Sequence, residues 1–174
     1  MKDPVDYRRR RLLLGLAALP VSGMATASIT PSASEGPFYP TTSMRFDDVD
    51  NDLVRIAERV ERAGGEVMTL EGRVLNTDGR PIEGARVEIW QCDVNGRYLH
   101  SGDRGGRPRD AGFQGFGHDI SGAQGEYRFR TIKPVPYPGR TPHIHVKLLI
   151  DGRSRLTTQF YLADHPQNQD EDHL

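Results

Sequence analysis

The chain has 174 residues, with 23 basic and 24 acidic side chains and a formal net charge of −1. This length suffices for one domain with a hydrophobic core, and the balanced charge lacks the basic excess that is typical of nucleic-acid binding. The single cysteine, Cys92, excludes an internal disulfide framework and a cysteine-rich zinc site. No segment contains the roughly 18 consecutive apolar residues that a transmembrane helix needs.

The first 27 residues have the pattern of a secretory signal. Four arginines at 8–11 precede an apolar stretch at 12–19, and small residues follow up to Ala27. The paired arginines favour the twin-arginine route, so we expect export to the periplasm or the extracellular space. The alternative is a basic amphipathic anchor. Residues 28–174 are then expected to form the folded domain.

The next predicted element is a short helix between Asp52 and Gly65. Apolar residues recur at helical spacing, at Leu53, Ile56, Ala57 and Val60. Asp52 is a suitable N-cap and the Gly64-Gly65 pair a suitable end.

Beyond residue 65 the apolar period changes from helical to two, which indicates β-strands. Strands are predicted at 67–75, 85–91, 126–132, 143–150 and 155–162, with turn signals at Asp78-Gly79, Asn95-Gly96 and Asp151-Gly152. Successive strands with little helix between them predict an all-β, antiparallel β-sandwich. The segment 98–124, rich in Gly, Arg and Asp, is predicted to be a long loop, and loops of this length in a compact domain are usually functional or disordered.

The fourth predicted strand begins with a candidate metal-binding pair, His143 and His145. Their spacing of two places both imidazoles on one face of the sheet, opposite Ile144 and Val146. Such a pair is more often a surface or hydrogen-bonded pair than a ligand pair, so further ligands must come from elsewhere. Tyr137, which lies between two prolines, and Tyr98, which follows the Asn95-Gly96 turn, are the candidates, although most tyrosines are core or rim residues.

Three longer motifs surround these residues. They read LEGRVLNTDGRPIEGARVEIWQCDVNGRY, GEYRFRTIKPVPYPGRTPHIHVKL and LTTQFY, and a fourth, EGPFYP, lies near residue 35. Together they resemble the intradiol ring-cleavage dioxygenases, in particular the iron-bearing β-subunit of protocatechuate 3,4-dioxygenase. The resemblance covers residues 35–170 and implies a prealbumin-like sandwich with long active-site loops.

The resemblance also implies an active site. The implied cofactor is a non-haem ferric iron held by Tyr98, Tyr137, His143 and His145. The implied reaction uses O2 to cleave a catechol-type ring between its two hydroxylated carbons, which yields a cis,cis-muconate. Tyr137 is implied to leave the iron and take a proton when the catechol binds. Arg140 matches an arginine that stabilises charge developing on the substrate ring, and Gln159 matches a residue that lies near the substrate and that arginine. Phenolate is a hard donor suited to ferric iron, and two phenolates with a hydroxide neutralise a trivalent ion.

Two features depart from the family pattern. Only six positions separate Tyr137 from His143, and the sequence ends soon after ADHPQNQD, where the family continues to a closing strand. An exposed sheet edge is therefore expected, which leaves open a homo-oligomer or a partner subunit. The alternatives are a non-catalytic prealbumin-like binding module and the same fold with zinc or copper. The sequence does not name the catechol.

Other polar and aromatic residues are weaker candidates. Loop residues that could contact substrate or solvent are His100, Asp103, Asp110, His118 and Asp119. Trp90 is predicted to be a core residue, Cys92 to pack in the core or line the cleft, and His165 and His173 to be solvated.

Overall fold

A computed structural model describes residues 28–163 and 165–168. The proposed signal at 1–27 and His173 lie outside them. Six strands form, bounded as β1 Val67–Arg73, β2 Arg86–Trp90, β3 Phe116–Ile120, β4 Glu126–Ile132, β5 His143–Ile150 and β6 Arg153–Tyr161. Within this part of the chain the only helical segments are two 3-10 turns, Thr42–Met44 and Pro166–Asn168, and no helix is long and apolar enough to cross a membrane.

The strands form two antiparallel sheets, which confirms the predicted all-β sandwich. One sheet pairs β1 with β4, and the other has the order β3-β2-β5-β6. The core between them is made of buried aliphatic and aromatic side chains, among them Ile89, Phe129 and Ile132. Ile144 and Val146 of β5 belong to this core, so His143 and His145 face away from it.

The β5–β6 hairpin turns at Asp151 and Gly152, as the sequence predicts. Both residues have positive φ, 52° and 70°, which a two-residue hairpin turn of this hand requires. The turn, together with a one-residue register shift between Leu148 and Leu149, places His143 opposite Tyr161 and His145 opposite Gln159. The predicted bounds of β4 and β5 agree with the structure, and those of the other predicted strands differ by one or two residues.

The predicted helix between Asp52 and Gly65 is wrong. The segment consists of turns and isolated bridges, with Glu58 at a φ of 62° and Val60 94% exposed. Leu53 and Val54, adjacent in sequence, are both buried, which a helix with one apolar face does not favour. The Leu53 N–H donates to the carbonyl of Arg130 instead of to a helical partner. Pairing with a distant strand therefore replaces local helical bonding.

The segment 98–124 is not entirely a loop, because it contains strand β3. This strand pairs along its whole length with β2, from Phe116 opposite Trp90 to Ile120 opposite Arg86. Its sequence, FGHDI, has little apolar alternation, so the period-two pattern is absent. The remaining loop, residues 99–115, leads from Tyr98 to this edge strand.

Candidate active site

The structure brings three of the four proposed ligand side chains into direct contact. His143 Nε2 lies 3.2 Å from the Tyr98 hydroxyl and 3.2 Å from His145 Nε2. The Tyr137 ring lies 5.6 Å from both the Tyr98 and His143 rings, measured between centroids. Tyr98, His143 and His145 are at most 3% exposed. Two phenols and two imidazoles thus converge on one small volume.

The two histidines reach this volume because β5 presents alternate residues on one face. His143 Nδ1 lies 2.7 Å from the Thr141 carbonyl, which can only accept, so Nδ1 carries the proton and Nε2 a lone pair. The Nε2 lone pair of His143 faces both the Tyr98 hydroxyl and Nε2 of His145. Burial, followed by the charges of His143 and Arg140, lowers the pKa of His145 to about 3. His145 is therefore a neutral ring able to bind a metal.

Tyr98 is held by the turn that precedes it. Asp93, fully buried, accepts hydrogen bonds from the backbone N–H groups of Asn95, Arg97 and Asp110 at 2.8, 3.0 and 2.6 Å. Asp103 accepts from the Tyr98 N–H at 2.6 Å. Burial, and then the neighbouring Tyr137, raise the pKa of Tyr98 well above its usual value. A phenolate at this position therefore needs a strong cation beside it.

Tyr137 and Arg140 lie on one tight turn in front of β5. The Arg140 N–H donates to the Tyr137 carbonyl at 2.9 Å, and both side chains are half-buried. The Arg140 guanidinium donates to Gln159 Oε1 at 2.6 Å, and the Gln159 amide donates to the Ser34 carbonyl at 2.9 Å. Arg140 is thus oriented beside the four donors by a buried amide.

These donors fit a ferric ion. Atoms that share one ion at bonds of about 2.1 Å lie about 3 Å apart, which matches the 3.2 Å contacts. When no ion is bound, the Tyr98 hydroxyl and His145 Nε2 compete for the single lone pair of His143 Nε2. In the described part of the chain, no group of three or more His, Cys, Asp or Glu side chains is arranged to hold a metal. The set therefore combines two phenol oxygens with two imidazole nitrogens, and both donor types suit a ferric ion.

Sequence reasoning missed several residues that contact the donors. Phe38 stacks on Tyr98 at 5.1 Å, and Trp90, expected only in the core, stacks on His145 at 4.7 Å with an interplanar angle of 6°. Gly36 also lies against His145. Residues 28–39, called the arm below, have no periodic pattern from which these contacts could be predicted. The aromatic EGPFYP motif, which begins within the arm, was the sequence feature that pointed to this region.

The weaker candidates have mostly structural contacts. Asp103 holds the Tyr98 backbone, Asp110 accepts from the Gly64 and Gly112 N–H groups, and Asp119 accepts from the Arg128 N–H. His118 lies on β3 opposite Glu88.

Two weaker candidates lie closer to the donors. His100 stands 5.7 Å from the Phe38 ring, at the rim of the site. Cys92 is buried against the Val135 carbonyl, and burial raises the pKa of its thiol to about 12.

Comparison with known proteins extends these observations. The family described as "Dioxygenase" matches residues 34–172. The chain is 40% identical over 126 residues to the protocatechuate 3,4-dioxygenase beta chain of Burkholderia cepacia, covering 68% of this chain and 54% of that protein. It is 31% identical to the hydroxyquinol 1,2-dioxygenase of Rhodococcus opacus, covering 93% of this chain and 58% of that protein. The chain thus spans a little over half the length of these curated relatives.

Solved structures agree with the sequence matches. The dioxygenase domain of a dioxygenase–carbohydrate-binding protein fusion from Streptomyces sp. SirexAA-E is 34% identical, with a TM-score of 0.60 and coverage of 81% of this chain and 79% of that chain. The intradiol ring-cleavage dioxygenase from Tetranychus urticae is 26% identical, with a TM-score of 0.60 and coverage of 79% and 66%. This chain belongs to the intradiol ring-cleavage dioxygenase family.

Proposed function

We propose that this protein is a non-haem ferric iron dioxygenase that opens a catechol-type ring between its two hydroxylated carbons. Both atoms of O2 enter the product, a cis,cis-muconate. The observation that carries the proposal is the convergence of Tyr98, His143 and His145 within 3.2 Å contacts, with Tyr137 beside them. A non-catalytic sandwich module has no need for two buried imidazoles facing a buried phenol.

Ferric iron, when bound, supplies the Lewis acidity that binds both catechol oxygens and the redox chemistry that makes the ring reactive toward O2. Tyr98 is buried and fastened by its turn, so it suits a permanent ligand. Tyr137 is half-buried on a short turn and suits a ligand that is displaced. In that role its oxygen would accept a proton from a catechol hydroxyl.

The remaining role, stabilisation of charge on the substrate ring, falls to Arg140, which Gln159 holds in place. The guanidinium, fixed by its 2.6 Å hydrogen bond to Gln159, places a permanent positive charge beside the donors. A positive charge held in a partly dehydrated pocket stabilises negative charge that develops on the substrate ring. The amide also accepts from the Tyr161 hydroxyl at 2.9 Å, so the pair is held from two sides.

The test is to load the metal-free full chain with iron and to measure its colour and its O2 uptake. Two tyrosinates on ferric iron should produce a burgundy charge-transfer absorption, whereas zinc should leave the protein colourless. Oxygen uptake is then measured with protocatechuate, catechol and hydroxyquinol, because the relatives do not decide among ring substituents. A protein that stays colourless with iron, or that consumes no O2 with any catechol, contradicts the proposal.

A further inference from the structure

The imidazole of His145 lacks the hydrogen bond that usually orients a metal-binding histidine. Its Nδ1 is buried and meets no hydrogen-bond partner among residues 28–163 and 165–168. His143, by contrast, is oriented through the Thr141 carbonyl. Metal-binding histidines almost always donate their second N–H to a carboxylate, carbonyl or water. Another contact must therefore orient the His145 ring.

Two residues pack directly against this ring. Trp90, opposite His145 in the β2–β5 register, stacks nearly parallel to it at 4.7 Å. The Gly36 backbone comes so close that a β-carbon built there would lie 3.2 Å from His145 Cε1 and 3.7 Å from Nε2. The first distance is tighter than most β-carbon contacts in proteins, so the ring or the arm would have to shift by a few tenths of an ångström. On the Nδ1 side of the ring, packing and not hydrogen bonding confines His145.

Gly36 has little freedom to move away, because the arm of residues 28–39 is fastened on both sides of it. Before it, the Ala33 N–H donates to the Thr157 carbonyl at 2.8 Å, and the Glu35 carboxylate binds Lys147 Nζ at 2.5 Å. After it, the Tyr39 hydroxyl donates to the buried Glu88 at 2.6 Å. All three partners lie on β2, β5 or β6. A substituent at position 36 would therefore push against the imidazole and not simply displace the arm.

We propose that Gly36 is a positioning residue that sets the place of the His145 ring, together with Trp90, which stacks on the face of that ring. The inference rests on the proposed function, because it assigns His145 as a metal ligand. Gly36 adopts a φ of 71°, which glycine tolerates without cost, and its missing side chain admits the imidazole. The arm thereby becomes part of the metal centre without providing a ligand.

The test compares Gly36→Ala with Gly152→Ala in the full chain. Gly152 has a nearly identical φ of 70°, but a β-carbon there would meet nothing within 4 Å. Because the two positions have nearly the same positive φ, Gly152→Ala measures the cost of backbone strain without a new contact, and Gly36→Ala should lower the melting temperature of the metal-free protein by at least as much. Only Gly36→Ala should weaken ferric iron binding, measured by competition with a chelator, by about 10- to 100-fold.

A second measurement does not depend on iron. In the metal-free protein, the NMR signal of the His145 Cε1 proton reports the ring current of Trp90 and therefore the position of the imidazole. Gly36→Ala should move this signal, and Gly152→Ala should not. If Gly36→Ala leaves both the signal and the iron affinity unchanged, the inference is overturned. If the wild-type chain binds no iron but the signal moves, the proposed function fails while the positioning role stands.

A milder variant covers the case in which Gly36→Ala does not fold. Glu35→Gln removes the ion pair with Lys147 but adds no atoms near the imidazole. It should loosen the arm, so the His145 signal should shift toward a less confined ring and iron affinity should fall by a smaller factor. An unchanged signal in this variant would contradict confinement by the arm.

Discussion

At the scale of single residues, burial decides the protonation of the proposed metal ligands. It keeps the His145 imidazole neutral well below neutral pH, which leaves a lone pair for a metal. It also disfavours the Tyr98 phenolate, so only a strongly charged cation can hold that oxygen deprotonated. Burial therefore keeps His145 neutral and able to bind a metal, whereas it makes deprotonation of Tyr98 depend on a bound ion. Tyr137, which is half-buried, is the member of the set that we propose exchanges.

Tyr137→Phe tests the division of labour between the two tyrosines. We expect this variant to keep iron, to shift the visible absorption, and to slow ring opening by about 100-fold or more, because the proton acceptor is lost. Absorption spectra and O2 uptake under single-turnover conditions measure both effects. Tyr127→Phe is the matched control, since Tyr127 lies in the other sheet, against Phe129. An unchanged spectrum in Tyr137→Phe would remove Tyr137 from the ligand set.

At the scale of elements, three short segments deliver the donors. Strand β5 carries both histidines on one face, the 136–140 turn carries Tyr137 and Arg140, and the 93–97 turn aims Tyr98. The last of these is organised by one buried carboxylate, Asp93, which accepts three backbone N–H groups. Loss of such an acceptor leaves buried donors unpaired, which costs far more than an exposed hydrogen bond.

Asp93→Ala should therefore damage both the fold and the metal centre. We expect a loss of about 3 kcal/mol or more in the free energy of unfolding, from the three unpaired N–H groups. Iron affinity should fall by about 10- to 100-fold, because the Tyr98 hydroxyl is no longer aimed. Urea unfolding and chelator competition measure the two effects. Asp78→Ala, at an exposed aspartate in the β1–β2 turn, is the control, and equal effects in both variants would contradict the role of Asp93.

At the scale of the whole molecule, the site lies on the outer face of the larger sheet, under the arm. Residues from β2, β5 and β6 contribute to it, so the ligands assemble only when the sandwich has formed. The first 27 residues resemble a twin-arginine signal. We propose that this signal directs the export of the protein after it has folded. The twin-arginine route carries folded proteins, which allows the iron centre to be complete before transport.

Substitution of Arg8, Arg9, Arg10 and Arg11 by lysine tests the export proposal. Lysine preserves the charge, so only recognition of the arginines is lost. We expect the protein to disappear from the exported fraction and to accumulate inside the cell as a folded, iron-binding form, measured by fractionation and absorption. Lysine at Arg104 and Arg107, in the exposed loop, is the control. Unchanged export of the signal variant would exclude the route.

Two features followed from local periodicity and turn residues alone. The alternation along β5 placed His143 and His145 on one face, and the Asp151-Gly152 pair set the hairpin, because strand geometry and turn preference are properties of neighbouring residues. The resemblance to the family then linked Tyr98 and Tyr137 to that face. Those assignments remain predictions until a metal is measured.

Features that depend on distant partners emerged from the folded chain and not from any local pattern. Strand β3 forms because it pairs with β2, and residues 52–65 avoid a helix because Leu53 pairs with Arg130. Gly36 lies more than a hundred positions from His145, yet its backbone confines that ring. A local pattern holds no information about such contacts, since packing and backbone pairing between remote segments override intrinsic propensity.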